Sequence, residues 1–174
     1  MHQGNKDWLD HLKNTYPEAF KGAVLELGSL NLNGSIRPWF AGAKKYVGID
    51  VIGGRGVDIV CNARDTKFEK EEFDTLASFS AFEHDPDWRG SFSHNLPWLK
   101  EGGMIFLCWG AEGNLYHGPN PWAIVPVADF MQAAQTWPIE IIDHFFERDQ
   151  FTPDCFGAYD LVARKLGDIY GSRP

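Results

Sequence analysis

The sequence predicts an α/β domain with an open, mostly parallel sheet whose last two strands form an antiparallel hairpin. Short apolar segments alternate with segments of helical periodicity, which is the pattern of strands joined by helices. Two later strand candidates are joined by a loop too short for a helix. The chain has 174 residues without repeats or a low-complexity linker. We therefore expect one domain over residues 1–174, with an N-terminal helix within 1–20 and a core over 21–166.

The first element is a helix over residues 6–16, where Leu9, Leu12 and Tyr16 recur at roughly helical spacing. Five strand candidates follow, and three of them are short and almost continuously apolar, as expected for parallel strands covered on both faces. The five are AVLEL (23–27), KYVGID (45–50), VDIVC (57–61), DTLASFS (74–80) and GMIFLCW (103–109). Helices are predicted between several of them, at residues 35–43, 86–100 and 126–137.

The two ends of the predicted sheet have unusual connections. Near the C-terminal end, IEIIDHFFE (139–147) and CFGAYDLVARK (155–165) are joined only by residues 148–154, which predicts the antiparallel hairpin. Between residues 50 and 57 lie only the six residues VIGGRG, whereas parallel neighbours are usually joined by a dozen or more. Six extended residues still span roughly 20 Å, about the length of a five-residue strand. We therefore expect a glycine loop in place of the usual helix. On that side, the rim of a ligand pocket at the strand ends would be thinner than usual.

Composition and charge exclude several kinds of partner and location. The apolar share of 44% and the charged share of 23% are typical of a soluble globular protein. There is no long apolar run and no signal peptide pattern, so we expect a cytoplasmic protein without a membrane partner. The net charge of −8 is spread along the chain, so no nucleic-acid partner is expected. The three cysteines are widely spaced and predict neither disulfides nor a metal site. The oligomeric state stays open.

Polar and glycine residues stand at the ends of the predicted parallel strands, where open α/β sheets bind ligands. Gly28 permits a tight turn, and the N–H groups after it favour a carboxylate or phosphate. Asp50, 22 residues later, can accept both hydroxyls of a ribose, and the Asn62 amide can accept from an adenine amino group. Each residue alone is as readily an ordinary turn or cap residue. Their joint order indicates a ligand that contains adenosine.

Several segments resemble the motifs of class I S-adenosylmethionine-dependent methyltransferases, specifically the small methyltransferase type 11 kind. They are VLELGS (24–29), NGSIRP (33–38), YVGIDV (46–51), GVDIV (56–60), FDTLASFSAFEHDPDW (73–88) and LKEGGMIFL (99–107). The resemblance covers roughly residues 20–165. It implies a Rossmann-like three-layer sandwich with a seven-stranded sheet, and S-adenosyl-L-methionine as the cofactor.

The same resemblance implies where the cofactor binds. The methionine part is expected near Gly28, the ribose on Asp50, and the adenine beside Asn62 and Ala63. The full set of expected cofactor residues is Glu26, Gly28, Ser29, Asp50, Asn62, Ala63, Ser78 and Phe79. Two departures stand out: only the first glycine of E-x-G-x-G-x-G is present, and Asn62-Ala63 stands where many members carry Asp-Ala.

The missing glycines also favour one of the possible reactions over the others. A nicotinamide dehydrogenase needs G-x-G-x-x-G so that a pyrophosphate can lie on a helix N-terminus, but residues 28–33 read GSLNLN. S-adenosylmethionine has no pyrophosphate, so the sequence favours methyl transfer to a small-molecule or sugar-like acceptor. Two alternatives stay open: a methyltransferase-fold domain that binds a ligand or partner without catalysis, and, third, an NAD-dependent oxidoreductase.

Two histidines are candidates for the general base that a hydroxyl or amine acceptor would require. His84 follows the fourth strand, although it and Asp85 are about as well explained as caps of the next helix. His117 lies in the Gly/Pro-rich loop 110–126 with Tyr116 and Trp122, a segment long enough to cover an acceptor or to be a surface excursion.

Hydrophobic side chains near the turn lead to two further expectations. The rings of Phe79 and Phe82 could steady a sulfonium by cation–π contact, although core packing explains each of them better. Leu30 and Leu32 are expected to point away from the cofactor into the core, with Gly34 and Ser35 opening a helix. A leucine beside Gly28 would instead favour the non-catalytic alternative.

Overall fold

The computed structural model describes residues 3–111, 125–146 and 158–167. Seven strands form one mixed sheet in the order β3-β2-β1-β4-β5-β7-β6. They are β1 (Ala23–Leu27), β2 (Lys45–Asp50), β3 (Ile59–Val60), β4 (Phe73–Phe79), β5 (Leu99–Gly110), β6 (Ile139–Phe146) and β7 (Ala158–Lys165). The first five strands are parallel, whereas β7 is antiparallel to both β5 and β6. The predicted seven-stranded sheet with a closing antiparallel hairpin is confirmed.

Helices cover both faces of the sheet and complete three layers. Helix α1 (Gln3–Thr15) packs on one face, where Leu9 and Leu12 join Val24, Phe106 and Val162 in one cluster. Helices α2 (Trp88–Asn95) and α3 (Val127–Ala134) pack on the other face, which is the larger aromatic core. Single 3₁₀ turns occupy Pro17–Phe20, Arg37–Phe40, Ala63–Asp65, Phe82–His84 and Leu96–Trp98. In the part of the chain that the structure describes, no helix is long and apolar enough to cross a membrane.

Three predicted elements are only about half their expected length or shorter. The helix expected over 35–43 is only the 3₁₀ turn Arg37–Phe40. The helix expected over 86–100 ends at Asn95, because Pro97 lacks the N–H that an α-helix requires, and Leu99 already begins β5. The strand expected over 57–61 contains only Ile59 and Val60.

The short connection between β2 and β3 confirms the expected glycine loop. Residues 51–58 contain no helix, yet β2 and β3 pair in parallel through Ile49 with Ile59 and Asp50 with Val60. The segment from residue 51 to residue 58 is here named the glycine loop. Because it is short, it lies close to the turn that comes after β1.

Candidate functional site

The turn after β1 is shaped by a glycine that no other residue could replace without strain. Gly28 has φ +78°, a left-handed conformation that favours glycine, and a Cβ added to it would lie 2.2 Å from Cβ of Ala81. The N–H groups of Gly28 and Ser29 both donate to the carbonyl of Ile49 at 2.9 Å. The turn is therefore fixed to β2, and Ala81, rather than a leucine, fills the space beside Gly28.

Asp50 lies at the end of β2 and links this turn to the glycine loop. Its Oδ2 accepts the N–H of Leu30 at 3.1 Å, and its Oδ1 accepts the N–H of Ile52 at 3.0 Å. Each carboxylate oxygen has a second lone pair. Asp50 therefore keeps acceptor capacity for the two hydroxyls of a ribose.

The two leucines of the turn behave differently from each other. Leu30 is half-buried, and its Cδ1 lies 2.5 Å from the position that a Cβ on Gly54 would take. Leu32 is 78% exposed, so the expectation that it points into the core is wrong. The reason is local: residues 31–36 form no helix, and Gly34 and Ser35 do not open one. The Gly34 N–H donates instead to Oδ1 of Asn31 at 3.0 Å.

Glu26 is buried below the turn. The residue is only 4% exposed, and its Oε2 accepts a hydrogen bond from the Tyr46 hydroxyl at 2.6 Å. Burial raises the pKa of Glu26 to about 7, although the Tyr46 hydrogen bond and the charge of Arg37 oppose that rise. Ser29 is also buried, and its hydroxyl has no hydrogen-bond partner among the residues that the structure describes. A direct cofactor contact is thus less compatible with Glu26 than with Asp50 or the backbone of the turn.

The end of β3 carries Asn62 and Ala63, and the Asn62 amide already has a local partner. Oδ1 of Asn62 accepts the N–H of Arg64 at 2.9 Å and so caps the 3₁₀ turn Ala63–Asp65. The carbonyl of Ala63 accepts Nδ2 of Asn95 at 2.7 Å, which ties this end of β3 to α2. Asn62 remains exposed and Ala63 half-buried.

The sequence interpretation missed two apolar side chains next to the expected adenine position. Val51 and Ile52 directly follow Asp50 and are 62% and 59% exposed. Exposed aliphatic side chains at a strand end are suited to an apolar ring face. The signal was present as two aliphatic residues between an acidic strand end and a glycine pair.

The residues at and after the end of β4 differ in burial, because some lie in the core and others lie at the surface. The buried hydroxyl of Ser78 donates to the carbonyl of Leu27 at 3.1 Å and so joins β4 to β1. Phe79 is half-buried against the cluster that contains Leu9 and Leu12 of α1. Phe82 is buried in the larger core against Trp88 and Phe92. Ser80, by contrast, is exposed with φ +54°, a strained conformation for a residue with a side chain. The core interpretation of both rings agrees with their packing.

His84 is exposed on the 3₁₀ turn after β4, between two anchored carboxyl groups. Glu83 is buried and accepts the N–H of Gly110, and burial raises its pKa to about 7. Asp85 accepts the Ser91 hydroxyl and the N–H of Asp87. Asp87, not His84 or Asp85, caps α2 by accepting the N–H of Gly90 at 3.3 Å. His117, Tyr116 and Trp122 lie outside the described residues.

These residues gather around the carboxyl ends of three adjacent strands. Hydrogen bonds join Asp50 both to the turn after β1 and to Ile52, and Ala81 brings the segment after β4 against Gly28. A separate groove of about 390 Å³ lies between α2 and α3, next to Arg89, Asp129 and Trp137. None of the expected site residues that the structure describes lines that groove. The candidate site is therefore the open edge above β1, β2 and β4.

Comparison with known proteins gives a match in structure alone. No family model matches the chain, and no curated protein matches it in sequence. An S-adenosylmethionine-dependent methyltransferase from Mesorhizobium loti is similar at 15% identity and a TM-score of 0.66, covering 90% of this chain and 96% of that one.

Two further solved structures have the same architecture. The Burkholderia thailandensis 1,6-didemethyltoxoflavin-N1-methyltransferase, with 1,6-didemethyltoxoflavin and S-adenosylhomocysteine bound, is 12% identical with a TM-score of 0.66, covering 91% of this chain and 76% of that one. The cyclase SpnF is 15% identical with a TM-score of 0.67, covering 91% and 82%. The chain has the class I S-adenosylmethionine-dependent methyltransferase fold.

Proposed function

We propose that this protein is an S-adenosylmethionine-dependent methyltransferase that acts on a small-molecule or sugar-like acceptor. The observation that carries the proposal is the pairing of a left-handed glycine turn with an acidic strand end. Oδ2 of Asp50 lies 3.1 Å from the N–H of Leu30, two residues after Gly28. A backbone turn and a carboxylate suited to a ribose are thus joined next to the switch point between β1 and β4, the region where open α/β sheets bind ligands.

The residues at this edge fit the parts of the cofactor. Asp50 would accept the ribose hydroxyls, and Val51 and Ile52 would offer aliphatic contact to the adenine. Asn62 and Ala63 would border the adenine from β3. The backbone around Gly28 and Ser29 would face the methionine part. The buried Ser29 hydroxyl, which has no partner in the described part of the chain, would be available to the cofactor if the turn adjusted. When bound, the cofactor supplies an activated methyl group on a sulfonium sulfur.

The backbone after the turn argues against the dehydrogenase alternative. A pyrophosphate binds at the N-terminus of a helix that follows the glycine turn directly. Here residues 31–36 are irregular, and the next element is the single 3₁₀ turn Arg37–Phe40. Leu30 and Asn33 occupy the positions of the second and third glycines of G-x-G-x-x-G.

The acceptor would approach from the β4 side of the edge. His84 is exposed there and can take a proton from a hydroxyl or amine acceptor. Glu83 and Asp85 fix the turn that carries it, the first to the end of β5 and the second to α2. The chain's own task is then to orient the acceptor and move its proton, because methyl transfer from a sulfonium needs little other activation.

Calorimetric titration with S-adenosylhomocysteine tests the proposal directly. We expect saturable binding of one equivalent to the folded protein, and methyl transfer from S-adenosylmethionine to at least one member of an acceptor panel of phenols, amines and sugars. Absence of binding at millimolar ligand, in a sample whose circular dichroism spectrum shows a folded α/β protein, would overturn the proposal.

One observation favours the non-catalytic alternative as a second candidate. The contact between Ala81 and Gly28 leaves less space for a ligand on the β4 side of the turn. A fold of this kind does not fix the function of the domain. Binding of S-adenosylhomocysteine without turnover on any acceptor would support this alternative, whereas turnover on one acceptor would exclude it.

A further inference from the structure

The glycine loop and the turn after β1 pack so closely that they form one structural unit. A Cβ on Gly56 would lie 2.6 Å from the carbonyl oxygen of Ser29, and a Cβ on Gly54 would lie 2.5 Å from Leu30. The N–H of Asn31 donates to the carbonyl of Arg55 at 2.8 Å. The loop therefore supports the turn from the side that a crossover helix would normally cover.

Asp58 fixes the C-terminal end of this loop to β2. Its Oδ2 accepts the N–H of Gly48 at 2.7 Å, and its own N–H donates to the carbonyl of Gly48 at 2.8 Å. The same Oδ2 forms an ion pair with Arg37. Asp58 thus binds the loop to the middle of β2 and to the 3₁₀ turn Arg37–Phe40.

Arg37 connects the loop to the buried polar groups of β1 and β2. Its Nη2 donates to the carbonyl of Gly56 at 3.2 Å, and its guanidinium carbon lies 4.5 Å from the centre of the Tyr46 ring. The Tyr46 hydroxyl donates to Glu26. One cation therefore contacts the loop, its anchor Asp58 and the aromatic ring under the turn.

We infer that Arg37 and Asp58 are positioning residues for cofactor binding, which replace the missing crossover helix by an ion pair that holds the glycine loop under the turn. The effect reaches the ribose through Asp50, whose carboxylate accepts one N–H from the turn and one from the loop. Without the ion pair, these two donors would no longer hold the carboxylate in one orientation. This inference rests on the proposed function, because its readout is the affinity for a ribose-containing cofactor.

Variants at Arg37 and Asp58 test the inference with S-adenosylhomocysteine as the probe. We expect R37Q and D58N to bind it about tenfold or more weakly, and R37K to lie between them and the wild type, because lysine keeps the charge but loses the planar fork. The pair is more than one third exposed on both sides, so the melting temperature should fall by a few degrees at most. R164Q is the matched control, since it removes an arginine from an exposed ion pair with Glu140 on the hairpin.

A cofactor analogue without the 2′-hydroxyl tests whether the ion pair orients the Asp50 carboxylate or only makes the whole site more rigid. We expect the wild type to bind 2′-deoxy-S-adenosylhomocysteine about tenfold more weakly than the parent compound, and R37Q to reduce that ratio to about twofold. Failure of the wild type to bind the parent compound would overturn the proposed function. If the wild type binds, three results would each overturn the positioning role. They are wild-type affinity in R37Q and D58N, an unchanged affinity ratio in R37Q, and an equal loss of affinity in R164Q.

Discussion

The N–H of Leu30 donates to Oδ2 of Asp50 across 3.1 Å, so the turn after β1 and the end of β2 meet at one carboxylate. The second oxygen of Asp50 accepts the N–H of Ile52, which is the second residue of the glycine loop. A single side chain therefore holds two backbone segments and still has lone pairs for a ligand. Removing the Asp50 carboxylate would therefore change both the local backbone structure and the affinity for a ligand.

Asp50 gives the first prediction. The variant D50N keeps one acceptor oxygen but loses the charge that strengthens hydrogen bonds from hydroxyl groups. We expect calorimetry to give S-adenosylhomocysteine binding about tenfold or more weaker. The control D143N removes an exposed carboxylate of β6 that accepts the neighbouring His144 N–H, and it should bind as the wild type does. Equal affinities for D50N and the wild type would contradict the assignment of the ribose to Asp50.

Gly28 gives the second prediction, because two separate effects oppose any side chain there. In G28A the new methyl would meet Ala81 at 2.2 Å, and the φ of +78° would strain an alanine. The double variant G28A/A81G removes the steric contact and keeps the backbone strain. We expect urea denaturation to give a loss of about 2 kcal/mol or more for G28A and about 1 kcal/mol for the double variant. If the two variants were equally stable, the contact with Ala81 would have no energetic role.

The positions of the strands along the chain could be predicted because each strand carries its own local signal. Residues 23–27 and 45–50 are bounded in the structure as in the sequence, since their apolar runs end at glycine or acidic residues. Val57 and Asp58 broke this rule. They look like strand residues, but Asp58 uses its side chain and its backbone to anchor the glycine loop. Periodicity cannot reveal that a residue has left a strand to make a tertiary hydrogen bond.

The candidate site could be predicted to the extent that it lies at strand ends. Asp50, Gly28, Glu26 and Ser78 were all expected there from their positions at strand ends and from the resemblance. The sequence could not show that the side chains of Glu26 and Ser78 bond to Tyr46 and to Leu27 within the sheet. Arg37 went unnoticed because its role depends on residues 19 and 21 positions away, Gly56 and Asp58. Such pairings arise only when the chain is folded.

Glu83 gives the third prediction, which concerns pH. Its pKa is about 7 in the folded protein and 4.5 in the reference state, so the folded state prefers the protonated form. The favourable contribution is complete below pH 4.5 and is lost as the pH rises through 7. We expect E83Q to match the wild type at pH 4 and to exceed its free energy of unfolding at pH 8 by up to about 3 kcal/mol. Glu26 acts in the same direction, so E83Q reduces the pH dependence without removing it.

Glu72 provides the matched control for that experiment. Its hydrogen bond with Lys45 lowers its pKa, so its contribution is present at neutral pH and is lost as the pH falls through the lowered value. E72Q should therefore be slightly less stable than the wild type at pH 8, opposite in sign to E83Q. An E83Q protein that is less stable than the wild type at pH 8 would mean that the ionised carboxylate is better solvated in the fold than its burial indicates.

His84 gives the last prediction, which separates catalysis from cofactor binding. The side chain is exposed on the turn Phe82–His84, beyond the end of β4 and apart from the Asp50 carboxylate that would hold the ribose. If it accepts the proton of the acceptor, H84N should lower the rate of methyl transfer about 100-fold or more, with S-adenosylhomocysteine affinity within about twofold of the wild type. H11N is the control, because His11 stacks on Trp8 in α1 and lies on the other side of the sheet. A parallel loss of affinity and rate in H84N would assign His84 to holding the site together. An unchanged rate would assign the proton transfer to solvent or to another group.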